Sequence, residues 1–271
     1  MTDIVVTRAW LADNRESVRV VDVRDAWEYD GIGHVPGAVN VPFDAFRAEE
    51  HAAKEGSDAD GNGGEGMLPG KTVFADIMGE AGIGPEDDVV AYDDHHGVFA
   101  ARFLVTAQLY GHPRERLHLL DGDFSAWQRE HETTAETPSP DPTDYEIHVP
   151  SETPLVDADA VAAAIDDPET VIVDTREDWE FEEGHIPGAV RLDWRELVDD
   201  ETRGLVDREE METTLAERGI GRDTRVLLYC NTARRISHTY WVLCWLGYED
   251  LAFYEGSLTE WEAAGRPVES A

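Results

Sequence analysis

The chain contains three sequence blocks twice, in the same order, and this duplication limits the folds it can adopt. The stretch from Val20, VVDVRDAWEYDGIGHVPGAVNV, matches the stretch from Ile172, IVDTREDWEFEEGHIPGAVRL. Further along, AGIGPEDDVVAYDD from Ala81 matches RGIGRDTRVLLYCN from Arg218, and DGDFSAW matches EGSLTEW. Two copies with so long a period predict a duplicated domain rather than a solenoid of short repeats.

The segment between the two copies has a different composition. It reads ETTAETPSPDPTDYEIHVPSETP, with five prolines and many acidic residues, so no regular core element is expected there. We therefore predict a first domain over residues 1–130, an acidic proline-rich linker over 131–154 and a second domain over 155–271.

Both halves alternate short β-rich runs with helix-like segments. Residues 18–23 and 171–175 are typical of buried strands, whereas 208–218 and 233–246 are typical of helices. This alternation predicts the α/β class, with tandem duplicated domains that each contain a parallel sheet flanked by helices. The sequence has neither the GxGxxG of a dinucleotide-binding fold nor a Walker phosphate loop.

The net charge of the chain excludes several classes of partner. There are 22 Lys plus Arg against 59 Asp plus Glu, a formal charge of −37. This charge repels nucleic acid and anionic lipid, so we expect neither nucleic-acid nor membrane partners. The only lysines are Lys54 and Lys71, a pattern that resembles proteins of salt-loving microbes. Because no apolar stretch approaches the ~20 residues of a membrane span and no signal pattern begins the chain, we expect a soluble, cytoplasmic monomer.

Two features bear on metal binding, and neither predicts a site. DADGNG from Asp58 has the acidic spacing of a calcium loop, but Pro69 stands where the bidentate glutamate belongs. We interpret residues 56–70 as a glycine-rich, solvated insertion. Cys230 and Cys244 form no CxxC pair, which argues against a zinc site and a disulfide framework. We expect no metal and no cofactor.

The position of Cys230 is favourable for chemistry. It follows the apolar run VLLY and precedes a helix-like segment, and a strand-to-helix turn offers unpaired N–H groups that favour a thiolate. At the corresponding position the first copy has Asp93. A cysteine buried only for packing is not expected to be replaced by a charge, so the second copy is predicted to carry the chemistry.

The duplicated Asp-x-Arg and Gly-His-x-Pro-Gly-Ala motifs, with one cysteine loop, resemble the two-domain rhodaneses, which are thiosulfate sulfurtransferases. The resemblance covers nearly the whole chain. It implies a catalytic C-terminal domain, a non-catalytic N-terminal domain with Asp93 at the nucleophile position, and a site that faces the domain interface. It also implies that Cys230 takes sulfur from thiosulfate and passes it to cyanide or a thiol through a persulfide.

The loop after Cys230 supplies the predicted substrate contacts. Its N–H groups can point inward at sulfur, while Arg234 and Arg235 supply charge for the anionic end of the donor. Arg176 is a secondary candidate, because the first copy has the same Asp-x-Arg motif. The predicted substrate-binding residues are Asn231, Thr232, Ala233, Arg234, Arg235 and Arg176.

The match to the family has departures that leave the donor open. Some members have a second substrate arginine four residues after the Asp-x-Arg arginine, and this chain has Glu180 there. The loop also differs from the Cys-Gly-Ser-Gly loop of 3-mercaptopyruvate sulfurtransferases, which favours thiosulfate. The alternatives are a 3-mercaptopyruvate sulfurtransferase and a relay module that receives persulfide from a partner protein. A phosphatase loop has five residues between Cys and Arg, and only four separate Cys230 from Arg235.

Several other residues are interpreted as packing residues. His34 and His185 occur in both copies and are predicted to support a turn. Cys244 lies in an apolar helical segment and is predicted to be a buried, inert thiol. For Trp194 a place beside the site and a place in the core are both open.

Overall fold

The computed structural model describes residues 3–48 and 68–270, and these form two compact units. One unit contains the chain up to Ser151 together with Asp200–Leu205, and the other contains Glu152–Asp199 and the chain from Val206 onward. The predicted linker residues 131–151 therefore belong to the first unit. The acidic stretch 58–63, and most of the 56–70 insertion, lie outside the described residues.

The first unit contains a five-stranded sheet in which every pairing is parallel. The strand order is β1-β5-β4-β2-β3. Because parallel strands need crossover connections, helices alternate with the strands along the chain. The strands are β1 (Val5–Thr7), β2 (Arg19–Asp22), β3 (Val39–Asn40), β4 (Val89–Tyr92) and β5 (Leu117–Asp121).

Helices cover this sheet and close its core. Helix α4 is buried on almost every face, as its apolar sequence VFAARFLVTAQL requires. Phe124 and Trp127 of α5 pack into a core cluster with Leu11 of α1. The helices are α1 (Arg8–Asn14), α2 (Ala26–Ile32), α3 (Lys71–Glu80), α4 (Val98–Leu109) and α5 (Phe124–Glu130).

The second unit repeats the plan with a four-stranded parallel sheet. Its order is β7-β6-β8-β9, and a core cluster contains Tyr229, Tyr254 and Trp261. The strands are β6 (Thr170–Asp174), β7 (Val190–Arg191), β8 (Arg225–Tyr229) and β9 (Leu251–Phe253). The helices are α6 (Ala158–Ala164), α7 (Asp178–Glu183), α8 (Arg208–Glu217), α9 (Arg234–Leu246) and α10 (Ser257–Ala263).

The register of the second sheet brings two predicted site segments to one edge. Asp174 at the end of β6 pairs with Tyr229 at the end of β8. Arg176 and Cys230 follow these residues, so both leave the sheet at the carboxyl ends of neighbouring strands, where α/β folds form their sites. The α/β class predicted from the sequence is confirmed. Among residues 3–48 and 68–270, no helix has both the length and the apolar character needed to cross a bilayer.

Candidate active site

Cys230 is held by its main chain between β8 and the start of α10. Its N–H donates to the hydroxyl of Ser257 over 3.1 Å, and its carbonyl accepts from the N–H of Leu258 over 3.0 Å. The residue is 1% exposed. The Cys230 backbone is therefore held by hydrogen bonds at both its N–H and its carbonyl.

The loop after Cys230 turns through a left-handed residue. Ala233 has φ +60° and ψ −6° and is fully buried. A residue with a β-carbon adopts this conformation at a cost of about 1–2 kcal/mol, because the β-carbon crowds the following carbonyl oxygen. The turn leads directly into α9, whose opening N–H groups lie at the positive end of the helix dipole. Thr232 is exposed, and Arg234 is half-buried at the first position of α9.

The side chain of Asn231 is committed to protein partners. Its amide nitrogen donates to Oε1 of Glu180 over 2.8 Å, and its Oδ1 accepts from Nη1 of Arg176 over 3.4 Å. Its main-chain carbonyl accepts from the hydroxyl of Thr259 over 2.8 Å. The Asn231 side chain is therefore oriented by Glu180 and Arg176.

Arg235 forms a two-pronged ion pair with Glu180. The distances are 2.5 Å from Nη1 to Oε2 and 2.8 Å from Nη2 to Oε1. Burial raises the pKa of Glu180, but the hydrogen bonds and charge of Arg235 outweigh burial and hold that pKa below its usual value. Burial lowers the pKa of Arg235, yet the hydrogen bonds and charge of Glu180 and the electrostatic interaction with Cys230 raise that pKa overall. The guanidinium thus lies within electrostatic reach of Cys230 while its fork is bound to Glu180.

The Arg176 side chain is buried and forms an ion pair with Asp174, the last residue of β6. Its Nε and Nη2 donate to the Asp174 carboxylate over 2.9 and 2.6 Å, and Nη2 also donates to the Gly184 carbonyl over 2.6 Å. Arg24 makes the same set of contacts with Asp22 and with the carbonyl of residue 33 in the first unit. Because both units share this arrangement, it supports the fold in each. Within residues 3–48 and 68–270, the hydrogen bond with Asn231 is what links the Arg176 side chain to the loop.

In the first unit, the corresponding loop binds the carboxylate of Asp93 through its backbone N–H groups. Asp93 is 1% exposed, and its carboxylate accepts four backbone N–H bonds. Burial raises the pKa of Asp93, and the four amides oppose that rise. The donors and distances are His95 at 2.7 Å, Gly97 at 2.8 Å, Phe99 at 2.7 Å and Ala100 at 3.0 Å. This loop is therefore an anion-binding cradle that its own side chain fills.

A second charged pair lies beside that filled cradle. Asp123 occupies the position that corresponds to Ser257, and it accepts from Nε of Arg203 over 2.8 Å. Arg203 also donates to the carbonyl of Asp94 over 3.0 Å. It belongs to Asp200–Leu205, the segment that is part of the first unit. An aspartate at 123 thus has a resident cation, whereas the hydroxyl of Ser257 binds the Cys230 N–H.

The two equivalent histidines support turns. In His185, Nδ1 lies 2.9 Å from the carbonyl oxygen of Phe181, and the two rings stack at 3.8 Å. In His34, Nδ1 lies 3.1 Å from the carbonyl oxygen of Tyr29, and these rings stack at 3.7 Å. Identical roles in both units agree with packing rather than chemistry.

Trp194 and Cys244 have separate places. The ring of Trp194 meets His238 edge-on at 5.3 Å, in contact with a buried residue of α9. Cys244, near the end of α9, is half-buried rather than fully buried. In the described part of the chain, no group of three or more His, Cys, Asp or Glu side chains could hold a metal ion.

Ser257, Thr259 and Glu180 were not among the site residues predicted from the sequence. For Ser257 and Thr259 the third repeated block was an available signal. Ser257 and Thr259 lie in the third repeated block, where the serine replaces Asp123 of the first copy. That second asymmetry between the copies points to the same loop as the Asp93 difference. Glu180 is the N3 residue of a capping box at α7, which explains its residue type but not its contacts with the loop.

Comparisons with known proteins agree with this geometry. The Rhodanese-like domain family matches twice, over residues 7–130 and 157–264. A provisionally named thiosulfate sulfurtransferase of Haloferax volcanii is 29% identical, over 98% of this chain and 96% of the relative. The thiosulfate sulfurtransferase of Azotobacter vinelandii is 30% identical, over 89% of this chain and 87% of the relative.

A solved structure supports the fold. SseA from Escherichia coli, described as a 3-mercaptopyruvate sulfurtransferase, superimposes with a TM-score of 0.78 and 24% identity. The match covers 94% of this chain and 99% of SseA. The chain therefore belongs to the rhodanese family and contains its domain twice. Its class of enzyme is that of the sulfurtransferases.

Proposed function

We propose that the protein is a thiosulfate sulfurtransferase that carries sulfane sulfur on Cys230. The observation that carries the proposal is the difference between two corresponding loops. One is filled by the Asp93 carboxylate, and the other presents a cysteine in its place. The names of the curated relatives support thiosulfate as donor.

The reaction has two displacement steps at sulfur. The Cys230 thiolate attacks the outer sulfur of thiosulfate, the sulfur–sulfur bond of the donor breaks, and sulfite leaves with the bonding electron pair. A cysteine persulfide anion remains. Cyanide or a thiolate then attacks the terminal sulfur, and the Cys230 thiolate leaves, which returns the enzyme to its starting state. Charge balances in each step, so no metal, oxidant or cofactor is required.

Backbone amides are the main anion contacts in this proposal. The N–H groups of Thr232, Ala233 and Arg234 and those that open α9 surround the sulfur. In the first unit His95 and Gly97, which correspond to Thr232 and Arg234, donate their N–H groups to Asp93. Asn231 contributes its backbone, and Arg176 holds Asn231 from behind. Arg235 acts through its field, because its fork is bound to Glu180. Arg234 supplies charge at the mouth of the loop.

The working environment is part of the proposal. The charge of −37 supports a protein adapted to high salt, since salt screens repulsion among carboxylates, and we place it in the cytoplasm as a monomer. The assay of function should therefore contain molar KCl.

The deciding experiment compares the two cysteines. We expect the wild type to convert thiosulfate and cyanide to thiocyanate and sulfite, Cys230→Ser to lose this activity, and Cys244→Ser to keep most of it. Mass spectrometry after incubation with thiosulfate alone should find one added sulfur atom on the peptide with Cys230. Equal loss of activity in both folded variants, or sulfur added only at Cys244, would refute the assignment.

A further inference from the structure

Glu180 binds the nucleophile loop with both carboxylate oxygens. Oε1 accepts from Asn231 and Arg235, and Oε2 accepts from Arg235 and from the N–H of Glu177. The residue is 8% exposed. The Glu180 carboxylate therefore contacts the same loop that is proposed to bind anionic substrates.

The first unit separates two roles of this glutamate. Glu28 corresponds to Glu180 and makes the same capping-box contact, accepting from the N–H of Asp25 over 3.2 Å. The loop positions that correspond to Asn231 and Arg235 are Asp94 and Val98, whose side chains have no N–H to donate. Capping thus accounts for a glutamate at this position in both units. The additional contacts with loop side chains are made by Glu180, in the unit that contains Cys230.

The ion pair changes what the loop offers to a donor. Both terminal nitrogens of Arg235 bind Glu180 in a charge-assisted fork, which is a strong and geometrically specific arrangement. An incoming anion that needs this guanidinium must compete with the carboxylate. A second negative charge on the donor is also repelled by Glu180 itself.

We propose that Glu180 is a specificity-determining residue that makes the Cys230 site select against a second negative charge on the sulfur donor. Singly charged donors, such as the thiosulfonates R–SO₂–S⁻, are favoured relative to doubly charged thiosulfate. With a thiosulfonate, Cys230 attacks the outer sulfur, the sulfur–sulfur bond breaks, and a sulfinate leaves with the bonding pair. This inference rests on the proposed function and names the donor charge that the site prefers.

The kinetic test uses two donors that differ by one charge, thiosulfate and methanethiosulfonate, with cyanide as acceptor. We expect Glu180→Gln to raise the ratio of kcat/KM for thiosulfate to that for methanethiosulfonate by at least about fivefold, the scale of one partly buried charge interaction. Glu28→Gln removes the same charge from the matching capping box and should leave the ratio unchanged. Glu180→Asp keeps the charge and should keep the wild-type ratio even if both rates fall.

A second measurement does not depend on turnover. In a Cys244→Ser background, alkylation of Cys230 by iodoacetate and by iodoacetamide compares a charged and a neutral reagent with the same reacting carbon. Glu180→Gln should raise the iodoacetate-to-iodoacetamide rate ratio, and Glu28→Gln should not. If Glu180→Gln changes the alkylation rates by iodoacetate and iodoacetamide equally, or if it stays active with an unchanged ratio of kcat/KM for the two donors, the inference about Glu180 is wrong while the proposed function stands. Absence of turnover with both donors in the wild type would overturn the proposed function and donor selection together.

Discussion

The filled cradle of the first unit predicts that the second unit will tolerate an aspartate in place of Cys230. An isolated buried carboxylate costs several kcal/mol. Asp93 is 1% exposed and is held by four amide N–H bonds, and hydrogen bonds to a charged group contribute about 1.5–3 kcal/mol each. These terms offset most of the burial cost. We therefore expect the unfolding free energies of Cys230→Asp and Cys230→Ser to lie within about 2 kcal/mol of each other, and we expect both variants to be inactive.

The matched control places the same charge two residues earlier in the chain. Leu228 is fully buried in β8, where the backbone groups already pair with β6 and β9. Leu228→Asp has no amide cradle and should lose more than about 4 kcal/mol, enough to unfold the second unit. Urea unfolding by tryptophan fluorescence, with hydrogen exchange of residues 225–246, assigns each transition to its unit.

The pH dependence of Cys230→Asp gives a second check. Burial raises the pKa of Asp93 above its ordinary value of 3.8, and the same burial should act on an aspartate at position 230. A raised carboxylate pKa means that the folded state binds the proton more tightly, so stability falls as pH rises through that pKa. The deficit relative to Cys230→Ser should be smallest near pH 3.8 and should grow as pH rises from there, until the raised folded pKa has been passed. Unfolding of Cys230→Asp to the extent seen in Leu228→Asp would refute the cradle in the second unit.

Three further predictions concern the loop and the surface. Ala233→Gly should change the unfolding free energy by less than about 1 kcal/mol. Relief of about 1–2 kcal/mol of backbone strain offsets the loss of a buried methyl group and the greater flexibility of the unfolded chain. The control Ala107→Gly, inside α4, should lower the unfolding free energy by at least about 1 kcal/mol. Burial raises the pKa of Glu180, but Arg235 lowers it by more, so the folded-state pKa lies below the ordinary value of 4.5. The stabilisation by this ion pair is therefore present above pH 4.5 and is lost as pH falls through the lowered pKa. The unfolding free energies of wild type and Glu180→Gln should therefore differ at pH 6 and converge in acid, as acid titrations of both will test. Thermal midpoint and activity should rise together from ~0.1 M to above ~1 M KCl, and a midpoint that is flat or falls with salt would contradict adaptation of the acidic surface to salt.

The sequence was sufficient to predict the fold class because its signals are local and occur twice. The run before Cys230 and the apolar segment after Ala233 appear as β8 and α9, with ends within a residue or two of the predicted ones. The difference between Asp93 and Cys230 located the loop of interest without any structure. The comparison is informative because the two loops follow corresponding strands of the repeat, although their backbones differ: Gly97 is left-handed, whereas the corresponding Arg234 begins α9.

The contacts that define the loop could not be read from local patterns. Arg235 and Glu180 are 55 residues apart, and Arg203 and Asp123 are 80 apart. The surplus of carboxylates gives each arginine many possible partners in the sequence. The register of β6 against β8 brings the start of α7 close to the loop after Cys230, and no local sequence pattern specifies that register.

The proline-rich segment shows a second limit of sequence reasoning. Prolines correctly indicate that residues 131–151 contain no long helix or strand, but they say nothing about packing. The backbone of Thr134 pairs with His34, and the N–H of Thr143 donates to the carbonyl of Gly79 over 3.0 Å. The segment therefore packs on the first unit through backbone hydrogen bonds, which depend on conformation rather than on residue type.

The two units use related loops in opposite ways, and the charge involved is the same. In the first unit one carboxylate, with one negative charge, fills the cradle and makes it a structural element. A persulfide on Cys230 would also carry one negative charge, placed one atom further from the backbone than the thiolate. A loop suited to a single charge needs no additional cation for that intermediate, so Glu180 can bind Arg235 without loss to the persulfide. The cost of that pairing then falls on donors with a second charge, which is the selectivity that Glu180→Gln is expected to remove.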